Sequence, residues 1–101
     1  MAFSGGTYED VGRWLANFLV AHAKRVDPRI EVELDAGGPR AGKSYGAVLL
    51  LGDRRSERLE FDHREVADHR GSLAWCRALA ERVQGLAREL AAPTLTGAAA
   101  R

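Results

Sequence analysis

The chain has 101 residues, of which 46% are hydrophobic and 29% are charged, as in a single globular domain rather than a disordered or membrane protein. Its 15 basic and 14 acidic side chains give a net charge of +1, which excludes the bulk cationic attraction of a strong non-specific nucleic-acid binder. Cys76 is the single cysteine, so an internal disulfide is excluded and a reducing compartment fits best. No stretch approaches the roughly 18 apolar residues of a membrane span. We therefore expect a cytoplasmic protein without a membrane segment.

The first predicted element is a helix over residues 8–26. Thr7 and Asp10 form a capping-box-like start, and Asp27-Pro28 ends the pattern. Between them, side chains recur at helical spacing in one largely apolar stripe: Val11, Trp14, Leu15, Phe18, Leu19, His22 and Val26. We expect His22 to be a hydrogen-bonded core or boundary residue and residues 1–6 to be a flexible lead.

Three strands are predicted next. Residues 30–35, IEVELD, alternate between apolar and acidic side chains, as in a half-buried strand. Residues 45–51 are apolar on both faces, which is typical of a central strand. After a turn at 52–56, Leu59 and Phe61 alternate with charged side chains in a third strand.

A second amphipathic helix is predicted after the strands, ending near Ala92-Pro93. Its stripe is Leu73, Cys76, Leu79, Val83, Leu86 and Leu90. Two starts are open, because Asp62 could cap a short first turn and Ser72 could cap the helix after Gly71.

The predicted fold class is α+β, in the order α-β-β-β-α. A three-stranded antiparallel meander sheet packed against two helices would bury both helical stripes. Residues 7–92 form this single domain, and residues 93–101, which lack periodicity, are expected to be a flexible tail.

Residues 37–44, GGPRAGKS, match the nucleotide-binding pattern G-x-x-x-x-G-K-[ST] at every fixed position. That pattern binds phosphate only when a helix follows it, because the loop N–H groups and the helix N-terminus must converge. Here the continuation, YGAVLLLGD, is strand-like. We therefore predict a hairpin loop, with no nucleotide or other cofactor.

Histidine, carboxylate and thiol side chains gather in DHREVADHR, residues 62–70, and at Cys76. Their spacing matches no C-x-x-C, H-x-x-x-H or H-E-x-x-H pattern, so no metal site is predicted. No set of nucleophile, base and oxyanion donors can be assembled, so we predict no catalytic residue and no enzyme. A small enzyme that uses His63 or His69 is the third hypothesis.

Basic side chains are expected to meet at the end of the sheet that carries the 36–43 turn and the start of the last helix. They are Arg40, Lys43, Arg64, His69 and Arg70. A second basic set, Lys24, Arg25, Arg29, Arg54 and Arg55, is expected at the opposite end. For both sets, simple solvation is the default interpretation.

The element order and one loop resemble double-stranded RNA-binding domains. Gly38-Pro39 followed six residues later by Tyr45 is similar to the Gly-Pro-x-His-x-x-x-aromatic spacing of that family, with Ala41 at the histidine position. The family's Lys-Lys-x-Ala-Lys cluster is missing. The resemblance implies that the first helix, the first hairpin loop and the start of the second helix contact the minor groove and phosphates. Duplex RNA binding through the first basic set is therefore the alternative function.

The sheet face without helices is expected to carry Val48 and Leu50 at its centre. Four charged side chains surround them in this prediction: Glu31, Glu33, Arg58 and Glu60. An apolar centre of this kind suits a partner protein or a second copy of the chain. The leading prediction is a small non-enzymatic binding or accessory domain that acts through a protein–protein surface.

Overall fold

A computed structural model describes residues 7–92, so the predicted lead at 1–6 and tail at 93–101 lie outside it. The elements are α1 (Tyr8–Val26), β1 (Glu31–Asp35), a short 3-10 turn (Gly38–Arg40), β2 (Ser44–Leu51), β3 (Arg54–Arg55), β4 (Leu59–Asp62), α2 (His63–His69) and α3 (Leu73–Ala91). The predicted α+β class is confirmed. None of the helices in this part of the chain has the length and apolar character that crossing a bilayer requires.

Side-chain caps set the helix starts. The Thr7 hydroxyl accepts a hydrogen bond from the Asp10 backbone N–H at 3.0 Å, and α1 begins at the next residue, Tyr8. Both starts considered for the last helix are used: Asp62 caps α2 and Ser72 caps α3. The single predicted helix is therefore two helices separated at residues 70–72.

β2 lies at the centre of the antiparallel sheet. β1 pairs with one edge of β2, and both β3 and β4 pair with the other. β3 and β4 together form one outer strand beside β2. Between their two pairings, two residues of β2, 48–49, lie opposite three residues of the outer strand, 56–58. The outer strand therefore carries one extra residue, in a β-bulge. The third predicted strand thus exists in two pieces. It also begins earlier than predicted, because Arg54 and Arg55 already pair with β2.

Both long helices pack on the same face of the sheet. Tyr45, Ala47 and Leu49 of β2 point into the core that this packing forms. The helices contribute Val11, Leu15, Leu19, Ala23, Leu79, Val83, Ala87 and Leu90. α1 and α3 run in the same direction, since Trp14 neighbours Trp75 and, further along, His22 neighbours Gln84. Within residues 7–92 the opposite sheet face, here called the open sheet face, has no helix over it.

The glycine-rich segment forms a hairpin loop, as predicted. Gly38 and Gly42 adopt positive φ angles of 59° and 77°, which glycine reaches without steric cost. Residue 44, immediately after the Gly-Lys pair, begins β2 rather than a helix. The arrangement that grips a nucleotide phosphate in P-loop proteins is therefore missing at this loop.

Candidate functional site

A pair of tyrosines fixes the start of α1 to the loop between β1 and β2. The Tyr8 hydroxyl lies 3.0 Å from the carbonyl oxygens of Ala36 and Arg40 and also contacts that of Ser44. The Tyr8 ring stacks on Tyr45 with 4.6 Å between ring centroids, and the Tyr45 hydroxyl donates to the Tyr8 carbonyl at 2.8 Å. Burial raises the pKa of Tyr45 to about 12. This end of the sheet, the loop end, is therefore held rigidly.

Arg40 lies on the open sheet face rather than at the tip of the loop. Its guanidinium donates two hydrogen bonds to the Glu60 carboxylate, at 2.8 and 2.9 Å, and a third to Asp35 at 3.3 Å. A Cβ atom on Gly46 would lie 2.8 Å from the guanidinium, so the arginine rests on a glycine backbone. The hydrogen bonds from Arg40 lower the pKa of Glu60. Arg40 could bind an external phosphate only by leaving these carboxylates.

Two other members of the predicted nucleic-acid set do meet. Lys43 and Arg64 are exposed and line one open cleft between the loop and α2, together with Gly42, Asp62 and His63. The ion pairs found in residues 7–92 do not involve Lys43 or Arg64. Whether this cleft binds nucleic acid remains a prediction.

His69 and Arg70 lie at the far end of α2, away from its Asp62 cap. The His69 ring stacks on Trp75 at 6.1 Å, and its Nδ1 lies 3.0 Å from the Glu65 carbonyl oxygen. The Arg70 carbonyl accepts a hydrogen bond from the Cys76 thiol at 3.4 Å, and burial raises the pKa of that thiol. The five predicted phosphate contacts are thus divided among three places.

His63 packs against two tyrosine rings and is not exposed to solvent as a metal ligand. Its ring meets Tyr8 and Tyr45 edge-on, with centroid distances of 5.4 and 6.0 Å, and its buried Nε2 has no hydrogen-bond partner in the described part of the chain. Cys76 and His69 each contact a backbone carbonyl instead of each other. In residues 7–92, no three histidine, cysteine, aspartate or glutamate side chains are grouped as metal ligands.

The predicted protein-interface residues share the open sheet face. The register places Glu31 opposite Leu50 and Glu33 opposite Val48. However, Val48 is only 5% exposed and Leu50 is half-buried. Two ion pairs reach across β2 from β1 to the outer strand: Arg55 to Glu33 at 3.7 Å and Arg58 to Asp35 at 3.8 Å. Arg40 of the β1–β2 loop also pairs with Asp35, at 3.3 Å. The apolar centre expected there is therefore small, and its role in binding remains a prediction.

A second surface follows the line where α1 and α3 meet. We call it the helix seam. Five of its members are linked by contacts: Trp14, Phe18, His22, Trp75 and Gln84. Leu73, in the first turn of α3, is included because helical spacing places it on the same edge of that helix as Gln84. Ring centroids are 5.1 Å apart for Trp14 and Phe18, 6.3 Å for Trp14 and Trp75, and 4.4 Å for Phe18 and His22. Gln84 and His22 lie within 3.2 Å.

Leu73 is the most unusual member of the helix seam. It is 82% exposed, and every other large hydrophobic side chain within residues 7–92 is at least partly buried. The sequence prediction placed it in the buried stripe because its spacing to Cys76 is helical. At about 100° per residue, however, Leu73 lies well outside the arc of Leu79, Val83 and Leu90, which are buried. A helical wheel centred on those three residues would have identified it as exposed.

Three members of the second basic set, Arg54, Arg29 and Lys24, have local structural partners at the opposite end of the domain. Arg54 donates to the carbonyls of Ala92 and Glu89, at 2.8 and 3.2 Å, and so caps the C-terminus of α3. Arg29 pairs with Asp27 at 2.7 Å, and this hydrogen-bonded pair lowers the pKa of Asp27 to about 2. Lys24 donates to the Pro28 carbonyl at 2.8 Å.

The fold and surfaces define a two-layer α+β domain with one open sheet face and one aromatic helix seam. Comparison of the chain with protein-family models, with curated proteins and with solved structures finds no match.

Proposed function

We propose that this protein is a non-enzymatic cytoplasmic binding domain that acts through a protein–protein surface, and that this surface is the helix seam. The observation that carries the proposal is the 82% exposure of Leu73, on the edge of α3 that meets α1 at Gln84. An apolar surface of this kind is what a partner protein covers.

The composition of the helix seam supports the proposal. Tryptophan and phenylalanine are enriched at protein interfaces, because they remove much apolar area from water with few rotatable bonds. Trp14, Phe18 and Trp75 are partly exposed, so a partner has rings to cover. Burying Leu73 would add roughly 1.5 to 3 kcal/mol of favourable free energy.

The open sheet face is the second surface on which the same function could rest. A partner or a second copy that covered Leu50 there would also cover Glu31, Glu33 and Arg58. It would have to desolvate ion pairs that already exist, and this penalty offsets much of the gain. Covering the helix seam desolvates fewer ion pairs, so the penalty is smaller there, and we place the interface on the helix seam.

The test compares crosslinking from two positions of the full chain. The photo-reactive residue p-benzoyl-phenylalanine replaces Leu73 in one variant and the exposed Glu31 of the open sheet face in the other. We expect adducts from position 73. The captured protein, once identified and purified, should bind the unmodified chain at least about tenfold more tightly than it binds the Leu73→Ser variant. Adducts from position 31 alone, or equal affinity for Leu73→Ser, would contradict the placement.

The cleft between Lys43 and Arg64 favours duplex RNA binding as a second candidate function. The start of α1, the 36–43 loop and the start of α2 meet at the loop end, and these two cations flank the cleft there. A protein that neutralises two phosphates with these side chains should show a salt dependence of binding with a slope of about −2 in log affinity against log salt.

This candidate is tested by anisotropy titration of a labelled RNA duplex at low salt. The Lys43→Ala/Arg64→Ala variant should lose binding, whereas Arg82→Ala/Arg88→Ala, which removes two exposed cations of α3, should retain it. Absence of binding by the unmodified chain, or equal loss in both variants, would remove the RNA hypothesis.

A further inference from the structure

The outer edge of β1 has no strand beside it in residues 7–92. β1 pairs with β2 along one side, and its other side has no partner strand in this part of the chain. The residues of β1 alternate between exposed and half-buried along the strand. Because the backbone N–H and C=O groups of an edge strand can pair with another chain, this edge is a candidate binding surface.

The hydrogen bonds of β2 show which backbone groups of β1 are free. In antiparallel sheets, successive residues of a strand direct their N–H and C=O groups alternately to the neighbour on one side and to the neighbour on the other. The Leu49 carbonyl accepts from the Ser56 N–H, and the Lys43 carbonyl accepts from the His63 N–H, both at 2.9 Å. The odd-numbered residues of β2 therefore face the outer strand, and its even-numbered residues face β1.

The register then assigns the free groups to Val32 and Leu34. Residues 46, 48 and 50 of β2 lie opposite Asp35, Glu33 and Glu31, so these three acidic residues form the hydrogen bonds to β2. The N–H and C=O groups of Val32 and Leu34 point away from β2, and the backbone hydrogen bonds of the described residues do not reach them on that side. The edge thus presents two donors and two acceptors at the spacing that an antiparallel strand requires.

A largely apolar cleft lies beside this edge, between β1 and the start of α1. We call it the β1 cleft; its volume is about 310 Å³, and its walls include Tyr8, Glu9, Gly12, Arg13, Ala16 and Leu34. A cavity of about 150 Å³ between apolar side chains holds a benzene ring, so the β1 cleft has room for a leucine or phenylalanine side chain. Directly opposed residues of antiparallel strands place their side chains on the same face. A residue that paired with Leu34 would therefore direct its side chain toward the β1 cleft.

The open-sheet-face side of the same edge is acidic. Glu31, Glu33 and Asp35 are exposed there, and Glu31 joins none of the ion pairs formed among residues 7–92. If a second copy of the chain paired through its own β1, these carboxylates would meet across the new strand pair, and like charges at that distance oppose pairing. A strand with basic side chains on this face would be attracted instead.

We propose that the outer edge of β1 binds, by strand addition, an extended segment of a partner protein in which lysine or arginine alternates with apolar residues. The apolar residues pair with Val32 and Leu34, and the one opposite Leu34 enters the β1 cleft. The basic residues lie beside Glu31 and Glu33. This surface is separate from the helix seam, so the inference goes beyond the proposed function and does not rest on it.

The experiment starts with a phage-displayed library of random peptides of about ten residues, selected against the full chain. The counter-target is Ala16→Phe, whose larger side chain fills the β1 cleft without changing the charge. We expect recovered peptides in which basic and apolar residues alternate. A saturating peptide should slow hydrogen exchange of the Val32 and Leu34 amides by at least about tenfold, because both become hydrogen-bonded. The Glu33 amide, which already bonds to β2, should change little.

Methylation of the peptide backbone separates strand addition from other modes of binding. Only alternate N–H groups of an added strand face β1, and in this pairing they belong to its apolar residues. N-methylation at those residues should weaken binding at least about tenfold. The matched control is N-methylation at the intervening basic residues, which should change affinity by less than about threefold.

A charge reversal measures the electrostatic contribution by calorimetry. For Glu31→Lys/Glu33→Lys, the selected peptides should lose roughly tenfold in affinity. The control Glu81→Lys/Glu89→Lys makes the same change in net charge at two exposed positions of α3 and should leave affinity within about twofold.

The remaining outcomes would overturn the inference. They are recovery of no peptide, unchanged exchange at Val32 and Leu34, equal effects of the two methylation patterns, and affinity unaffected by the charge reversal. Concentration-dependent protection of the same amides without peptide would show that a second copy occupies the edge, and would also overturn it. Peptides that leave these amides unprotected but fail to bind Leu73→Ser would contradict this inference alone and support the helix seam, so the two proposals fail separately.

Discussion

The open sheet face and the helix seam differ in whether their charged side chains are paired and in how far their apolar side chains are exposed. On the open sheet face, Arg40 pairs with Glu60 and Asp35, and Val48 beneath these charges is only 5% exposed. In the helix seam, Leu73 is 82% exposed, and Arg25 joins none of the ion pairs found in the described residues.

This contrast shows why charged residues alone identify a binding surface poorly. A face whose charges are paired must give up those pairs before it can accept a partner, whereas unpaired cations beside exposed apolar groups lose less on binding. The surface that is richer in charge is therefore the weaker candidate.

The largest effect is expected from one matched pair of truncations, Val48→Ala and Leu73→Ala. Val48→Ala removes two buried methyl groups and should lower the free energy of unfolding by about 1.5 kcal/mol. Leu73→Ala removes a larger but exposed group and should change it by less than about 0.5 kcal/mol. Urea denaturation of both variants measures the difference. Equal losses would mean that the two surfaces do not differ in burial.

Local chemistry in the sequence predicted most of the fold. The Thr7 cap and Asp27-Pro28 bound α1 because they satisfy or remove backbone groups at its ends. The alternation in 30–35 and the strand-like residues after Ser44 identified the hairpin, since side-chain period depends only on neighbouring residues.

The remaining features depend on residues far apart in the chain. The bulge that splits the third strand is held where the Ser56 hydroxyl accepts a hydrogen bond from the Leu49 N–H at 3.0 Å. Arg40 turns onto the open sheet face because Glu60, twenty residues later, meets it over Gly46, which has no side chain. Neither contact has a signature in local spacing, so the sequence predicts only that Arg40 lies with the other basic side chains at the end of the sheet that carries the 36–43 turn.

The second prediction concerns the pair of Arg40 and Glu60 on the open sheet face. In Arg40→Gln, Glu60 loses its hydrogen-bonding cation, so its pKa should rise toward the ordinary value of 4.5. Because the native pKa is lowered, the stabilisation is present above the unfolded-state pKa and disappears as pH falls through the folded value. The stability advantage of the unmodified chain over Arg40→Gln should therefore be present at pH 7 and shrink in acid.

Carboxyl NMR titration of Glu60 and urea denaturation at two pH values measure these effects. Arg55→Gln is the control, because Arg55 pairs at 3.7 Å with Glu33 rather than with Glu60. A Glu60 pKa that is the same with and without Arg40 would show that the pair does not form in solution.

The smallest effect concerns His22 in the helix seam. Burial, and secondarily the charge of Arg25, lower the pKa of His22 below 6.5, so the folded state favours the neutral ring. The unfolded chain then binds more protons between the folded pKa and about 6.5, and stability should fall as pH decreases through that window. Arg25→Gln should raise the His22 pKa only part of the way, because burial is the larger cause, whereas His22→Gln should abolish the dependence. NMR titration of the His22 ring protons measures the pKa in Arg25→Gln, and urea denaturation at two pH values measures the pH dependence of stability in His22→Gln. A full return of the pKa to 6.5 in Arg25→Gln would show that the ring is solvated and that the seam around it is more open than the 3.2 Å contact with Gln84 implies.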